Sequence, residues 1–278
     1  MRKIILYYKF VKIDDTETVK LWQRELCERL GLKGRVLISG EGINGTLGGE
    51  LAALKLYKRA MSDHSLFKKI AYKWSDGSDA DFPRLRVKVR EETVTLGLPD
   101  ITPEESGQRL KPKEFHELVT NDPDVVLLDA RNNYESAIGK FKGAITPDIA
   151  NFRDLPDKIK DLQDLKDKKI VTYCTGGIRC ETFSALLISE GFKRVYQLEG
   201  GIVKYGEKYG DAGHWEGKCF VFDNRMSIGF SAGSKDIGEC VHCRQPTSNY
   251  ENCANMSCNK LILSCAGCSI SRSVCPKE

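Results

Sequence analysis

The run Lys169-Ile170-Val171-Thr172-Tyr173 leads without a break into Cys174-Thr175-Gly176-Gly177-Ile178-Arg179. Residues 181–191 then carry a helical pattern through Phe183, Leu186, Leu187 and Ile188, closed by Gly191. A β-branched, apolar run of this kind fits a strand buried on both faces. Val125-Val126-Leu127-Leu128-Asp129 before it and Val195-Tyr196-Gln197-Leu198 after it have the same character, with helical segments between. Strands alternating with helices make an α/β domain with a parallel sheet. In such a sheet, working loops lie at the carboxyl ends of the strands. Cys174 falls there.

A thiol attacks as its thiolate, and its ordinary pKa is about 8.5. The loop offers several means of lowering it. Backbone N–H groups of Thr175, Gly176, Gly177, Ile178, Arg179 and Cys180 can converge as an anion nest. A helix beginning near Arg179–Glu181 adds the partial positive charge of its N-terminus. Gly176 and Gly177 permit the backbone angles, and Arg179 supplies a formal charge. The alternative, Cys174 as a core residue at a strand end, explains none of these neighbours. Cys180 has two open readings: a resolving thiol for Cys174, or packing at the helix start.

These residues resemble the rhodanese family. Asp129-Ala130-Arg131-Asn132-Asn133-Tyr134-Glu135, Gly139 and Gly143-Ala144-Ile145 look like its first strand and signature. Val195 to Ile202 looks like its closing strand and glycine turn. The resemblance implies that Cys174 holds a sulfane sulfur as a persulfide, with Asp129 and Arg131 as structural supports. A related phosphatase family uses a loop one residue longer, which makes phosphatase activity the weaker reading.

The first hundred residues follow another grammar. Strand-like Lys3–Lys9 precedes a helical pattern through Val19, Trp22, Leu26 and Leu30, with N-cap chemistry at Asp14, Asp15 and Thr16. Arg35–Ile38 reads as a strand, Leu51–Met61 as a helix and Phe67–Trp74 as a strand. The order βαββαβ is that of a ferredoxin-like α+β domain. Arg84–Val89 and Thr93–Leu96 are expected to add a hairpin. Gly40-Glu41-Gly42-Ile43-Asn44-Gly45 formally matches a dinucleotide fingerprint, but no helix opens at its last glycine. A glycine-rich hairpin is the better reading.

Charge is nearly balanced, with 43 basic and 39 acidic residues and a net +4. That balance argues against a strongly basic, phosphate-binding domain. One stretch stands out locally: Tyr72, Lys73, Trp74, Arg84, Arg86, Lys88 and Arg90 interleave cations and aromatics. It reads either as a surface for single-stranded RNA or as a solvated strand face over core aromatics. Lys9 and Lys12 interrupt the apolar start, so it reads as a strand rather than a secretory signal. No run is long enough for a transmembrane helix, and the cytoplasm is the expected compartment.

Seven of the 11 cysteines fall between Cys240 and Cys275. Cys240-x2-Cys243 and Cys265-x2-Cys268 form two pairs with metal-ligand spacing, which predicts a structural zinc ribbon or treble-clef-like element. Oxidative disulfides or a redox relay serving Cys174 are the rival readings, and Cys253, Cys258 and Cys275 are left over. The four histidines, 64, 116, 214 and 242, are scattered and form no facial triad with a carboxylate. No flavin, haem or nicotinamide fingerprint is present, so no catalytic cofactor is identified.

The whole chain resembles the oxygen-dependent, rhodanese-like tRNA uridine(34) hydroxylases. The resemblance rests on Gly34–Ile38, Glu41–Thr46, Phe82–Lys88, Tyr173–Glu181, Gly217–Asp223 and the cysteine-rich tail. It implies a ferredoxin-like, acylphosphatase-like domain over 1–100, a rhodanese domain over 112–212 and a cysteine-rich element over 213–278. It also implies 5-hydroxyuridine formation at the wobble position, with tRNA bound through its anticodon region, molecular oxygen as co-substrate and no membrane. Transfer of sulfane sulfur to a small acceptor is the alternative function.

Overall fold

In a computed structural model, residues 1–255 and 257–269 are described; Cys275 lies outside them. The chain divides into two compact units, Met1–Gly97 and Leu98–Glu278.

The first unit is a five-stranded sheet with two helices. Its elements are β1 (Arg2–Phe10), α1 (Thr16–Arg29), β2 (Lys33–Ser39), β3 (Gly42–Glu50), α2 (Leu51–Asp63), β4 (Lys73–Asp76) and β5 (Leu85–Val89). The order β4-β1-β3-β2-β5 is the ferredoxin-like arrangement with one strand added at the β2 edge. Asp15 caps α1 by accepting the Thr18 N–H at 2.9 Å. Such a cap satisfies one of the helix's orphan donors. Ile5, Tyr7, Val36, Ile38, Ile43, Leu47, Leu54 and Phe67 are fully buried between sheet and helices.

Two expectations for this unit change. Thr93–Leu96 is not a strand, and β5 pairs parallel with β2 instead of forming a hairpin. Thr93 is held by side chains, its hydroxyl bonded to Ser39 Oγ and its N–H donating to Glu41 Oε1. The strand read from Phe67 shifts to Lys73–Asp76, because Ser65–Phe67 forms a 3-10 turn. The glycine-rich segment is indeed one arm of a hairpin, yet that arm is the central strand β3. Glycine is needed there for close approach. A Cβ on Gly45 would lie 2.3 Å from the Tyr7 ring, and one on Gly49 would lie 2.4 Å from Leu32.

The interleaved basic stretch divides by face. Tyr72 and Lys73 are buried, Lys73 with its ammonium 4.7 Å from the Tyr8 ring centre, and Trp74 packs against the core. Arg84, Arg86, Lys88 and Arg90 lie along the β5 edge on the solvent side, where they alternate with buried Val87.

The second unit opens with β6 (Gln108–Leu110), α3 (Pro112–Asn121), β7 (Val126–Asp129), α4 (Asn133–Ser136) and β8 (Gly139–Phe141). It continues with β9 (Lys169–Tyr173), α5 (Ile178–Ser189), β10 (Arg194–Leu198) and α6 (Gly201–Tyr209). A parallel sheet of order β6-β10-β9-β7 lies at its centre. The sequence pattern did not show β6, a three-residue strand whose exposed positions outnumber its one buried leucine. The carboxyl ends of the parallel neighbours β7 and β9 deliver Asp129 and Cys174 to the same side.

The cysteine-rich segment shares this unit. β11 (Trp215–Gly217) pairs antiparallel with β8, and β12 (Cys219–Phe220) pairs with β13 (Ser227–Ile228). A hairpin of β14 (Tyr250–Asn252) and β15 (Leu261–Leu263) is followed by the short α7 (Ala266–Ser269). Among the described residues no helix is long and apolar enough to cross a membrane.

Candidate active site

Cys174 sits where β9 ends, and the next three residues turn the chain into α5. Gly177 is the N-cap of α5 with φ 99°, a left-handed conformation that a side chain would strain. The helix starts at Ile178, slightly earlier than its apolar periodicity indicates, so Arg179 and Cys180 lie in its first turn. The entire loop is buried apart from Ile178, which is partly exposed.

The sulfur is surrounded by donors. The Gly177 N–H points at Cys174 Sγ at 3.1 Å. The Arg179 N–H and the Cys180 thiol also hydrogen-bond to it, and the Arg179 guanidinium acts through its charge. Burial pushes the Cys174 pKa up. The Cys180 hydrogen bond, the Arg179 charge and the loop N–H groups outweigh it and bring the pKa down to about 6. Cys180 moves the other way: burial and the neighbouring Cys174 sulfur push its thiol well above the ordinary range. The pair therefore holds one proton at neutral pH, and it rests on Cys180. Alkylation of Cys174 by a small electrophile should rise with pH through an inflection at about 6 and then level off. Peptide mass spectrometry across a pH series measures this, and an inflection near the ordinary value of about 8.5 would contradict it.

Arg179 is fixed from below. Its Nη1 and Nη2 donate to Glu135 Oε2 and Oε1 at 2.6 and 2.7 Å. Glu135 also accepts from Thr175 Oγ1 at 3.3 Å and from the Asn132 N–H at 3.2 Å. Burial raises the carboxyl pKa, but the charge and hydrogen bonds of Arg179 prevail and hold it below the usual range. Arg131 forms a second, fully buried floor. It donates to Asp129 at 2.6 and 2.9 Å and to the carbonyl of Gly139 at 2.7 Å, and its guanidinium lies 5.3 Å from the Trp215 ring centre. Asp129 and Arg131 thus brace the strand end and the segment after it.

The loop is closed from the far side by the turn into α6. Ile202 and Val203 donate their N–H groups to the carbonyls of Cys174 and Thr175 at 3.0 and 3.1 Å. Gly201 has φ 67°, and a Cβ there would meet the Cys174 carbonyl at 2.4 Å and the Thr175 carbonyl at 2.6 Å. Gly201→Ala should therefore displace the loop. We expect a fall of at least about tenfold in the alkylation rate of Cys174, with a stability loss of about 1–3 kcal/mol. Unchanged labelling kinetics would show that the turn does not set the loop.

Two participants, Glu135 and Cys219, were not visible in the sequence as site residues. In the sequence Glu135 stands only as part of a signature, and its partner Arg179 lies 44 positions away. Cys219 reaches the loop through a hydrogen bond with Thr175; burial pushes its thiol up to about 12, which keeps it protonated. The histidines scattered in sequence are not all scattered in space. His116 and His214 lie with ring centres 4.7 Å apart, His116 stacked on Tyr209 at 4.1 Å. His116 bonds to Tyr205 Oη at 2.8 Å and His214 to Thr120 Oγ1 at 2.9 Å, an aromatic support without a carboxylate. In the tail the sulfurs of Cys240, Cys243, Cys265 and Cys268 converge, all within 4.8 Å of one another.

Comparison with known proteins covers all of these parts. Residues 2–93 match the UPF0176 acylphosphatase-like domain, residues 111–208 the rhodanese-like domain, and residues 216–278 the rhodanese carboxyl-terminal domain. The tRNA uridine(34) hydroxylase of Pseudarthrobacter chlorophenolicus is 50% identical over 98% of this chain and 95% of its own length. The chain belongs to the tRNA uridine(34) hydroxylase family. The proteins of that name from Arthrobacter sp. and Corynebacterium jeikeium are 51% and 52% identical, over 98% and 96% of this chain and 95% and 89% of their own lengths. Family membership thus extends through the cysteine-rich tail, well past the rhodanese-like segment that carries Cys174.

Proposed function

We propose that this chain is an oxygen-dependent hydroxylase that converts uridine 34 of tRNA to 5-hydroxyuridine, with Cys174 as its nucleophile. The observation that carries the chemistry is the ring of donors on Cys174 Sγ, the Gly177 N–H at 3.1 Å with the Arg179 N–H and the Cys180 thiol, which favours the thiolate. Uridine is electrophilic at C6, conjugated to the C4 carbonyl. Attack by the Cys174 sulfur forms an S–C6 bond and moves the C5–C6 π pair onto C5 and the carbonyl. C5 becomes electron-rich and takes one atom of molecular oxygen; the C5 proton is lost as the sulfur leaves C6, and the other oxygen atom departs as water at the expense of two electrons and two protons from an external thiol reductant, which becomes a disulfide. Cys180, which keeps the pair's proton, donates a hydrogen bond to the Cys174 sulfur and stabilises it as the thiolate that leaves C6 when the adduct breaks down.

Position 34 lies in the anticodon loop, where an unpaired base can be splayed into a buried pocket. In the first unit, the Arg84, Arg86, Lys88 and Arg90 edge offers cations for tRNA phosphates. A tRNA substrate agrees with the cytoplasmic compartment. The same nest of N–H groups suits a sulfane sulfur, but near-full-length identity to hydroxylases favours the RNA reaction over transfer to a small acceptor.

The deciding experiment incubates the purified chain with unmodified tRNA in air and under anoxia, followed by nucleoside mass spectrometry. 5-Hydroxyuridine at position 34 in air only is the expected result. No product in air, together with turnover of thiosulfate to a cyanide acceptor, would replace the proposal with sulfur transfer.

A further inference from the structure

We propose that Cys240, Cys243, Cys265 and Cys268 bind one zinc ion that staples the carboxyl-terminal segment onto the domain carrying Cys174. The inference is independent of the reaction assigned to Cys174.

The four sulfurs lie within 4.8 Å of one another, and those of Cys243 and Cys265 are 3.5 Å apart. Four thiolates about 2.3 Å from a central zinc ion stand roughly 3.8 Å from one another at the corners of a tetrahedron. The observed spacing brackets that edge. A disulfide needs about 2.05 Å between sulfurs, and all four cysteines are free.

The backbone supplies a second observation. Cys240 Sγ accepts N–H bonds from His242, Cys243 and Cys265, and Cys243 Sγ accepts one from Gln245. Backbone N–H groups aimed at sulfur are the outer-shell partners that orient and support a metal-bound thiolate. To achieve this the first pair forms a tight knuckle. The Cys240 N–H donates to the Gln245 carbonyl at 2.9 Å, the Arg244 N–H returns to the Cys240 carbonyl at 3.0 Å, and Arg244 adopts a left-handed φ of 67°. A non-glycine residue in that conformation is strained and persists where the surroundings compel it. The second pair turns into α7, with the Cys268 and Ser269 N–H groups on the Cys265 carbonyl at 2.9 Å each. A cation bound between the four sulfurs would displace their protons and hold them as thiolates at this spacing.

Four protein sulfurs fill a tetrahedral site, leaving no open position for substrate, so the role is structural. Zinc fits better than iron. Cys243 is exposed and Cys265 and Cys268 are half-buried, so a ferrous thiolate centre would be open to oxidation, whereas zinc has no redox chemistry. The staple has a defined load. The Val241 N–H donates to the Leu263 carbonyl at 2.9 Å, tying the first knuckle to the β14–β15 hairpin. That hairpin contributes Tyr250 and Leu263 to a cluster with Ile138 and Phe220, and the Tyr250 hydroxyl donates to the carbonyl of Tyr134. Tyr134 directly precedes Glu135, the residue that holds Arg179.

The test uses the full chain purified under reducing conditions, with metals counted by ICP-MS. The wild type should carry at least about one equivalent of zinc, and Cys243→Ser/Cys268→Ser should carry one equivalent less. Cobalt exchanged into the wild type should show intense near-ultraviolet thiolate charge-transfer bands. Cys243→His, which keeps a ligand at that corner, should retain the metal with weaker bands, so that loss of ligation is read apart from loss of fold. Less than half an equivalent of zinc in the wild type overturns the proposal. So does a double variant with the wild-type zinc count, a cobalt spectrum without thiolate bands, or visible iron–thiolate absorption in the isolated protein.

Discussion

Cys174→Ser is expected to reduce formation of 5-hydroxyuridine by at least about a thousandfold, the scale of removing a nucleophile that acts with its neighbours as one unit. Serine keeps the size of the side chain and can still accept the Gly177 N–H now directed at sulfur. What it loses is ionisation. The loop that brings the cysteine to about 6 leaves a serine hydroxyl neutral at any pH the fold tolerates. Thermal unfolding of the variant should therefore stay close to that of the wild type while the product vanishes. Nucleoside analysis of tRNA from cells carrying only Cys174→Ser provides the readout, and an undiminished 5-hydroxyuridine signal would remove Cys174 from the mechanism. Cys180→Ala is a graded companion. It deletes a thiol that both donates to the Cys174 sulfur and holds the pair's proton, so the alkylation inflection should move up from about 6.

Much of this site was legible because the local code is strong. β9 runs as expected over Lys169–Tyr173, and the cysteine, glycines and arginine follow in the order that a strand–loop–helix nest demands. The cysteine pairs of the tail could be paired on spacing alone, since two short turns leave each pair's thiols adjacent. What escaped the sequence was set by partners distant along the chain. β5 carries an alternating pattern that suits a hairpin as well as a parallel edge; it pairs with β2, and the chain beyond it is held by the bonds of Thr93 to Ser39 and Glu41. The glycines of β3 read as turn formers, though at Gly45 and Gly49 the absent Cβ makes room for Tyr7 and Leu32. His116 and His214 meet only because β8 and β11 pair, which brings the Lys142 N–H onto the His214 carbonyl at 2.9 Å. Periodicity reports which face of an element is buried, and these contacts depend on which element it meets.

Glu135→Gln is expected to cost about 3–5 kcal/mol, the usual penalty for leaving one member of a buried ion pair without its partner. Glu135 is fully buried and the Arg179 side chain is only 9% exposed, so water cannot replace the lost charge. An amide at this position offers one acceptor oxygen where the carboxylate serves two guanidinium nitrogens, Thr175 and Asn132. The pH dependence has a definite sign. Because Arg179 holds the Glu135 pKa below its ordinary value of about 4.3, the unfolded chain binds that proton more readily than the folded one. The stabilisation from Glu135 is therefore complete above about pH 4.3 and drains away as the pH falls through the lower folded value. Urea denaturation of wild type and Glu135→Gln at neutral pH and near pH 4 should show a large gap that narrows in acid. Adding Arg179→Met to Glu135→Gln should restore most of the loss, since no buried charge is then left alone. A single variant as stable as the wild type at neutral pH, or a gap that widens in acid, would mean that Glu135 does not anchor the loop arginine.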